Sequence, residues 1–300
     1  MGKVLIIKSN KEGFERYIFE KMSSGEVTVI ADEILNSPYD RIRKRIHILK
    51  NIAKIGKGYF KQFDTIIVFD EFRFLLPLFL LKRHETKLIL WLWNTASQLN
   101  QLKLVSFFSQ VWTFDFDDAR KHHFLLNTQF YFLPEYNNDE NDEIVYFRGL
   151  DKGRYKAVSY IVENLKRLGY SYNIKIKRDI SSPVDDIFDL LTDETISYES
   201  MIADIRKSKA ILDINKPGQT GFTLRIMEAL YYDKKIITNN RALATASFYD
   251  KRMIFIIGKD DITKLGAFLS GENDPYPSEC KEYYSFRSWL DRFTSKAGVQ

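Results

Sequence analysis

A single cysteine, Cys280, excludes an intramolecular disulfide and any cysteine-based zinc cluster, and it fits a reducing cytoplasm. Histidine is equally scarce, with four in the chain. His122 and His123 are adjacent, so on a helix they point about 100° apart and share no metal face. His47 and His84 are remote from them, which leaves no metal motif. No uncharged apolar run approaches the roughly 18 residues of a membrane span; the longest, 74–81, contains Pro77. The N-terminus enters a strand-like run at once and lacks the apolar core of a signal peptide. The segment after that run, Lys8 to Gly13, holds one glycine where a dinucleotide fingerprint needs three, which disfavours a nicotinamide oxidoreductase.

The composition is that of a globular chain: 45% hydrophobic and 28% charged. Aromatics reach 15%, which favours large buried sheets, and 300 residues suit two domains. The net charge of +5 is uneven: 20 Lys and Arg face 14 Asp and Glu up to Pro134, against 25 and 26 beyond it. The basic excess peaks from Arg41 to Lys61, where eight basic residues occur without an acid. There Ile42, Ile46, Leu49 and Ala53 form a helical apolar stripe. A basic amphipathic helix suits an anionic membrane surface, and equally a packed helix with a solvated basic face. Nucleic acid is not expected as a partner, because no binding motif accompanies the charge.

Through the first half, strand-like runs (4–7, 27–31, 65–69, 87–92, 111–114, 129–132) alternate with helical patterns (11–22, 38–55, 74–82). Near-continuous apolar strands of this kind predict a parallel sheet covered on both faces, with ligands beyond the strands' carboxyl ends. The polar residues at those ends are Asp70, Glu71, Asn94, Thr95 and Asp115. Asp70 and Glu71 are candidate acid/base groups, or caps of the next helix. Asp117 is a candidate cap for a helix over 118–126, or equally a catalytic group.

The acidic stretch 135–143 (EYNNDENDE) carries no apolar aliphatic residue and marks the boundary between an N-terminal domain, 1–134, and a C-terminal one, 144–282. The second domain opens with a strand at 144–148 and the turn Gly149-Leu150-Asp151-Lys152-Gly153-Arg154. A helix follows with Val158, Ile161, Val162, Leu165 and Leu168 on one side, ending at Gly169. Further on, a strand 210–214 runs into Gly218-Gln219-Thr220-Gly221, then a helix over 222–232 and a strand 234–238. Glycines here permit close approach of backbone to ligand, and the helix start favours an anion. Arg225 and Glu228, three apart, share a face, with Thr223 near the first turn. Such a loop, helix start and charge pair suggest a nucleotide or nucleotide-sugar site; the plain alternative is an ordinary loop–helix–strand unit with a surface ion pair. The last element, 283–294, spaces Phe286, Leu290 and Phe293 on one helical side.

The 218–240 stretch resembles the donor-binding segment of GT-B glycosyltransferases, especially bacterial enzymes of lipopolysaccharide and capsule synthesis. The motif R-I-M-E-A-L at 225–230 matches the helix whose glutamate meets the donor ribose, and K-K-I-I-T at 234–238 the strand after it. Many retaining members carry a second glutamate eight positions earlier, where this chain has Thr220. G-L-D-K-G-R at 149–154 is similar to the first loop of the donor domain, and the turn at Asp115 to one near the end of the first domain. The resemblance implies two Rossmann-like α/β domains, with a terminal helix from 283 crossing back to the first. It implies a metal-independent transferase without cofactor, moving a sugar from a nucleotide-sugar to a lipid-linked or oligosaccharide acceptor. Donor contacts would come from Gly149, Lys152, Arg154, Gly218, Gln219, Thr220, Gly221, Thr223, Arg225 and Glu228; catalysis would fall to Asp70, Glu71 or Asp115. A non-catalytic sugar- or nucleotide-binding module and a nucleotide-sugar epimerase are the alternatives. Residence would be cytoplasmic, peripheral to the cell membrane.

Overall fold

Short runs of Val, Ile and Leu bounded by polar residues form strands buried on both faces, and this chain has two sets of them. The computed structural model describes residues 2–8, 22, 26–31, 58–70, 78–79, 82–98, 102–132 and 144–294. The expected helix 38–55, nearly all of 11–22, most of 74–82, most of the basic segment after Arg41, the stretch 135–143, and Glu71 lie outside the described residues. The chain divides into two units, Met1–Thr128 with Leu290–Gln300, and Gln129–Trp289.

In the first unit β1 (Val4–Lys8), β2 (Val27–Ala31), β3 (Thr65–Phe69), β4 (Lys87–Leu92), β5 (Gln110–Thr113) and β6 (Leu125–Leu126) form one sheet ordered β2-β1-β3-β4-β5-β6. Every pairing is parallel, with Val4 opposite both Val27 and Thr65. All five residues of β3 are buried, as continuous apolar strands under two covering layers require. The expected strand 129–132 is reduced to a single bridge, Tyr131 to Ser285; the sixth strand is β6 instead. Its position follows from the helix before it. That helix, α1 (Phe116–His122), stops early because His123 takes a left-handed conformation, φ 56°, and its N–H bonds the Ala119 carbonyl.

The second unit contains β7 (Ile144–Leu150), α2 (Tyr155–Leu168), β8 (Ser171–Lys177), β9 (Leu191–Thr192), α3 (Tyr198–Lys207) and β10 (Ala210–Asp213). It continues with α4 (Leu224–Tyr231), β11 (Lys235–Thr238), β12 (Ile254–Ile256), α5 (Leu265–Ser270) and α6 (Ser278–Tyr283). Its sheet, again wholly parallel, is ordered β12-β11-β10-β7-β8-β9. Counted within the unit, the third, second, first, fourth, fifth and sixth strands lie side by side. That order reverses between β7 and β10, and a crevice opens at such a point beyond the carboxyl ends. α2 seals one face with Val158, Ile161, Val162 and Leu165, all fully buried, while Leu168 faces outward at 37% exposure. Gly169 ends the helix at φ 76°.

The terminal element is two helices, α6 and α7 (Phe286–Thr294), rather than one. Trp289 packs at a tilt against Phe130 in the second unit, and Phe293 packs edge-on to Trp91 and Trp112 in the first. Arg292 anchors that end on Asn127 and Thr128, at 2.5 and 2.7 Å.

Candidate functional site

The polar residues that follow β7, β10 and β11 converge at the order reversal of the second sheet. Asp213, the last residue of β10, has no exposed surface. Thr223 donates its hydroxyl to Asp213 Oδ1 at 2.7 Å, and Arg225 Nη1 lies 3.8 Å from the same oxygen. Burial is the main reason the Asp213 carboxyl is raised above its ordinary range, against the pull of Arg225 and Thr223. Arg225 also donates to the Arg148 carbonyl at 3.0 Å and rests over the Phe147 ring at 4.7 Å. Gly149 makes this possible, because a Cβ there would overlap Arg225 Nη2. Arg154 is held still more firmly: Nε donates to Ile214 O at 2.6 Å and Nη1 to Leu150 O at 3.0 Å. Burial pulls its guanidinium down to about 10.

The glycine turn before α2 is already engaged. Lys152 (φ 46°) and Gly153 (φ 78°) are both left-handed. The Lys152 amide donates to Asp179 Oδ2 and the Gly153 amide to Ser181 Oγ, each at 2.8 Å.

Glu228 is 3% exposed, and the Tyr198 hydroxyl donates to its Oε1 at 2.7 Å. Burial pushes its carboxyl up to about 7; the Tyr198 bond and Arg225 oppose that rise. It does not border the cavity described next.

That cavity has a volume of about 760 Å³ and opens beside the loops after β10 and β11. Gly218, Gln219 and Thr220 line it, as do Lys156 and Tyr160 of α2. Gly218 is left-handed, φ 77°, as its turn requires. Asn215 Nδ2 donates to the carbonyls of Gln219 and Gly221, and Asn240 Nδ2 to those of Thr220 and Gly221. The Asn215 amide donates to Asn239 Oδ1, whose Nδ2 returns to Asn215 O. Three asparagines therefore fix the loop. Lys156, Lys216 and Arg241 border the space, and no carboxylate does.

In the first unit, Asp70 directly follows β3 with a left-handed backbone, φ 49°. Its carboxylate accepts from the amides of Trp93 and Asn94 and from Asn94 Nδ2, at 2.9, 3.0 and 2.8 Å. The Lys8 ammonium, at the end of β1, lies 5.0 Å from the centre of the Trp93 ring. Burial raises the Asp70 carboxyl to about 6; Asn94 and Lys8 oppose that. Asp115 is a helix cap without exposed surface: it accepts from the Asp117 and Asp118 amides, both at 3.1 Å. The cap of α1 is thus Asp115 rather than Asp117, and the helix starts two residues earlier than the pattern predicts.

Of the residues singled out from the sequence, the structure brings Gly218, Gln219 and Thr220 to the cavity. It gathers Gly149, Arg154, Thr223 and Arg225 around Asp213, and sets Glu228 behind them. Asp213, Tyr198, the asparagines 215, 239 and 240, Lys156 and Arg241 were not singled out. A polar residue directly following an apolar one at the end of a strand-like run, as at 213 and 215, was the available signal. Among the described residues no cluster of three His, Cys, Asp or Glu is placed to hold a metal ion, and no helix is long and apolar enough to cross a membrane.

Neither a protein-family model nor a curated protein matches the chain. Solved structures do. The apo form of WaaB, a lipopolysaccharide outer core galactosyltransferase, aligns over 97% of this chain and 98% of its own, with a TM-score of 0.53 at 12% identity. Sucrose-phosphate synthase from Thermosynechococcus elongatus aligns over 90% and 89%, with a TM-score of 0.51 at 10% identity. The architecture, two parallel α/β sheets of six strands, is the GT-B fold.

Proposed function

We propose that the chain is a glycosyltransferase whose second unit binds a nucleotide-sugar and whose first unit supplies the acid–base group. The acceptor would be a hydroxyl of a lipid-linked or oligosaccharide molecule in bacterial surface polysaccharide synthesis, lipopolysaccharide or capsule, at the cytoplasmic face of the membrane. The observation that carries this reading is the cavity at the strand-order reversal, bordered by three cations and no acid. A ligand there is anionic, and the fold's ligands bind at that crevice.

Transfer makes a bond from the acceptor oxygen to the sugar's anomeric carbon and breaks that carbon's bond to the diphosphate. The acceptor proton must go to a base and the diphosphate must carry away negative charge. Asp70, raised to about 6, is matched to accept a proton near neutral pH. Fixed cations stabilise the departing diphosphate in the role a divalent ion otherwise plays, so the reaction is proposed to be metal-independent.

The test is turnover of a panel of nucleotide-sugars in the presence of a chelator. One donor should be consumed under those conditions, and Asp70→Asn should lower kcat about 10²–10⁴-fold with the donor Kd unchanged. Turnover that stops with the chelator and returns with magnesium would refute metal independence. Absence of both binding and turnover across the panel would refute the function.

A further inference from the structure

The positive charges that border open space in the donor unit differ from the arginines conspicuous in the sequence. Arg154 is 8% exposed and donates to two backbone carbonyls, one at the last residue of β7 and one just beyond β10. Arg225 donates to a third carbonyl and faces the buried Asp213. Both guanidiniums tie strand ends together.

Lys156, Lys216 and Arg241 are placed otherwise. Lys156 is exposed on the first turn of α2 and pairs with no carboxylate among the described residues. Lys216 follows β10 and Arg241 follows β11, and the reciprocal Asn215–Asn239 hydrogen bonds lock those two loops to each other. One Arg241 nitrogen donates to the Gly258 carbonyl at 3.0 Å, which orients the planar guanidinium. All three border the same 760 Å³ cavity, a size suited to a small-molecule ligand, and no Asp or Glu shares its wall.

We infer that Lys156, Lys216 and Arg241 hold the phosphate groups of the bound ligand, while Arg154 and Arg225 are positioning residues that hold the ends of β7 and β10. The nucleotide-sugar reading above supplies only the identity of the anion, a diphosphate; the assignment of residues rests on the cavity wall. Two flexible ammonium groups and one oriented guanidinium neutralise a charge spread over two phosphates more evenly than a single fork does.

Calorimetric titration of the full chain with inorganic pyrophosphate tests this directly. Wild type should bind with an affinity that falls as salt rises. Lys156→Ala, Lys216→Ala and Arg241→Ala should each weaken binding about tenfold, and the three together should abolish it. Arg225→Lys should weaken it less than any of the three. Thermal unfolding of the triple variant should stay close to wild type, since Lys156 and Arg241 are exposed and Lys216 is half-buried. No pyrophosphate binding by wild type, an undiminished affinity in the folded triple variant, or a larger loss in Arg225→Lys would each overturn the assignment. Pyrophosphate binding that the triple variant loses, with no nucleotide-sugar turned over by wild type, would keep the site and remove the transferase reading. Turnover that persists unchanged in the triple variant would do the reverse.

Discussion

The two sheets each have six parallel strands, yet the carboxylates at their order reversals live in different surroundings. Asp70, between β1 and β3, is met by two backbone amides and a side-chain amide, with one cation near. Asp213, between β7 and β10, is sealed among two arginines and two threonines. Amide donors favour the ionised carboxylate, yet unlike paired cations they leave no uncompensated charge when it takes up a proton. One sealed among guanidiniums balances their charge, and removing it leaves them uncompensated. The first arrangement suits proton transfer; the second suits a scaffold.

The largest expected effect tests that contrast in stability. Asp213→Ala should destabilise the protein by about 3–5 kcal/mol, the usual cost of breaking a buried charge arrangement. Asp70→Ala should cost about 1–3 kcal/mol, from unsatisfied amides alone. Urea unfolding of both variants measures the pair, and equal losses would erase the distinction.

Titration sharpens it. Glu228 rises to about 7 in the folded protein from an ordinary 4.5. A carboxyl raised on folding keeps its proton in the folded state while the unfolded chain has lost it. Its stabilising contribution is therefore complete below about pH 4.5 and disappears as pH climbs to about 7, some 3 kcal/mol in all. Glu228→Gln should flatten that slope and gain on wild type at pH 8. Asp70, raised to about 6 from 3.8, should lose its contribution about one pH unit earlier, and Asp70→Asn should remove that step alone. A single shared step in both variants would mean the two groups are not independent.

The smallest effect separates two neighbouring acids in the first unit. Asp115→Ala removes a cap that satisfies two amides and should cost about 1–2 kcal/mol. Asp117 makes an exposed pair with Arg120 at 2.9 Å, so Asp117→Ala should cost under about 0.5 kcal/mol. Thermal unfolding suffices, and the reverse order would return the cap to Asp117.

Much of this architecture was legible because apolar runs such as Ile66 to Phe69 have one physical solution, a strand covered on both sides. The Gly169 stop was legible for the same kind of reason, since glycine takes left-handed geometry without strain. His123 does the same at the end of α1, but nothing in its chemistry advertises it, so β6 was missed. Arg154 and Arg225 were visible as charges beside glycine loops. Their carbonyl partners were not, because Leu150, Ile214 and Arg148 become neighbours only when β7 and β10 pair. Asp213 closes an apolar run and meets Thr223 and Thr238 only after the sheet forms. Spacing along the chain carries no trace of that meeting.

The Asp179 carboxylate on the Lys152 amide of the glycine turn has a consequence for competition. It is a tethered anion, present at an effective concentration of roughly millimolar order whatever the ligand supply. Free phosphate well below that concentration should not displace it. A ligand already moored elsewhere in the cavity would face the turn on equal intramolecular terms, so the turn would discriminate by attachment rather than by charge.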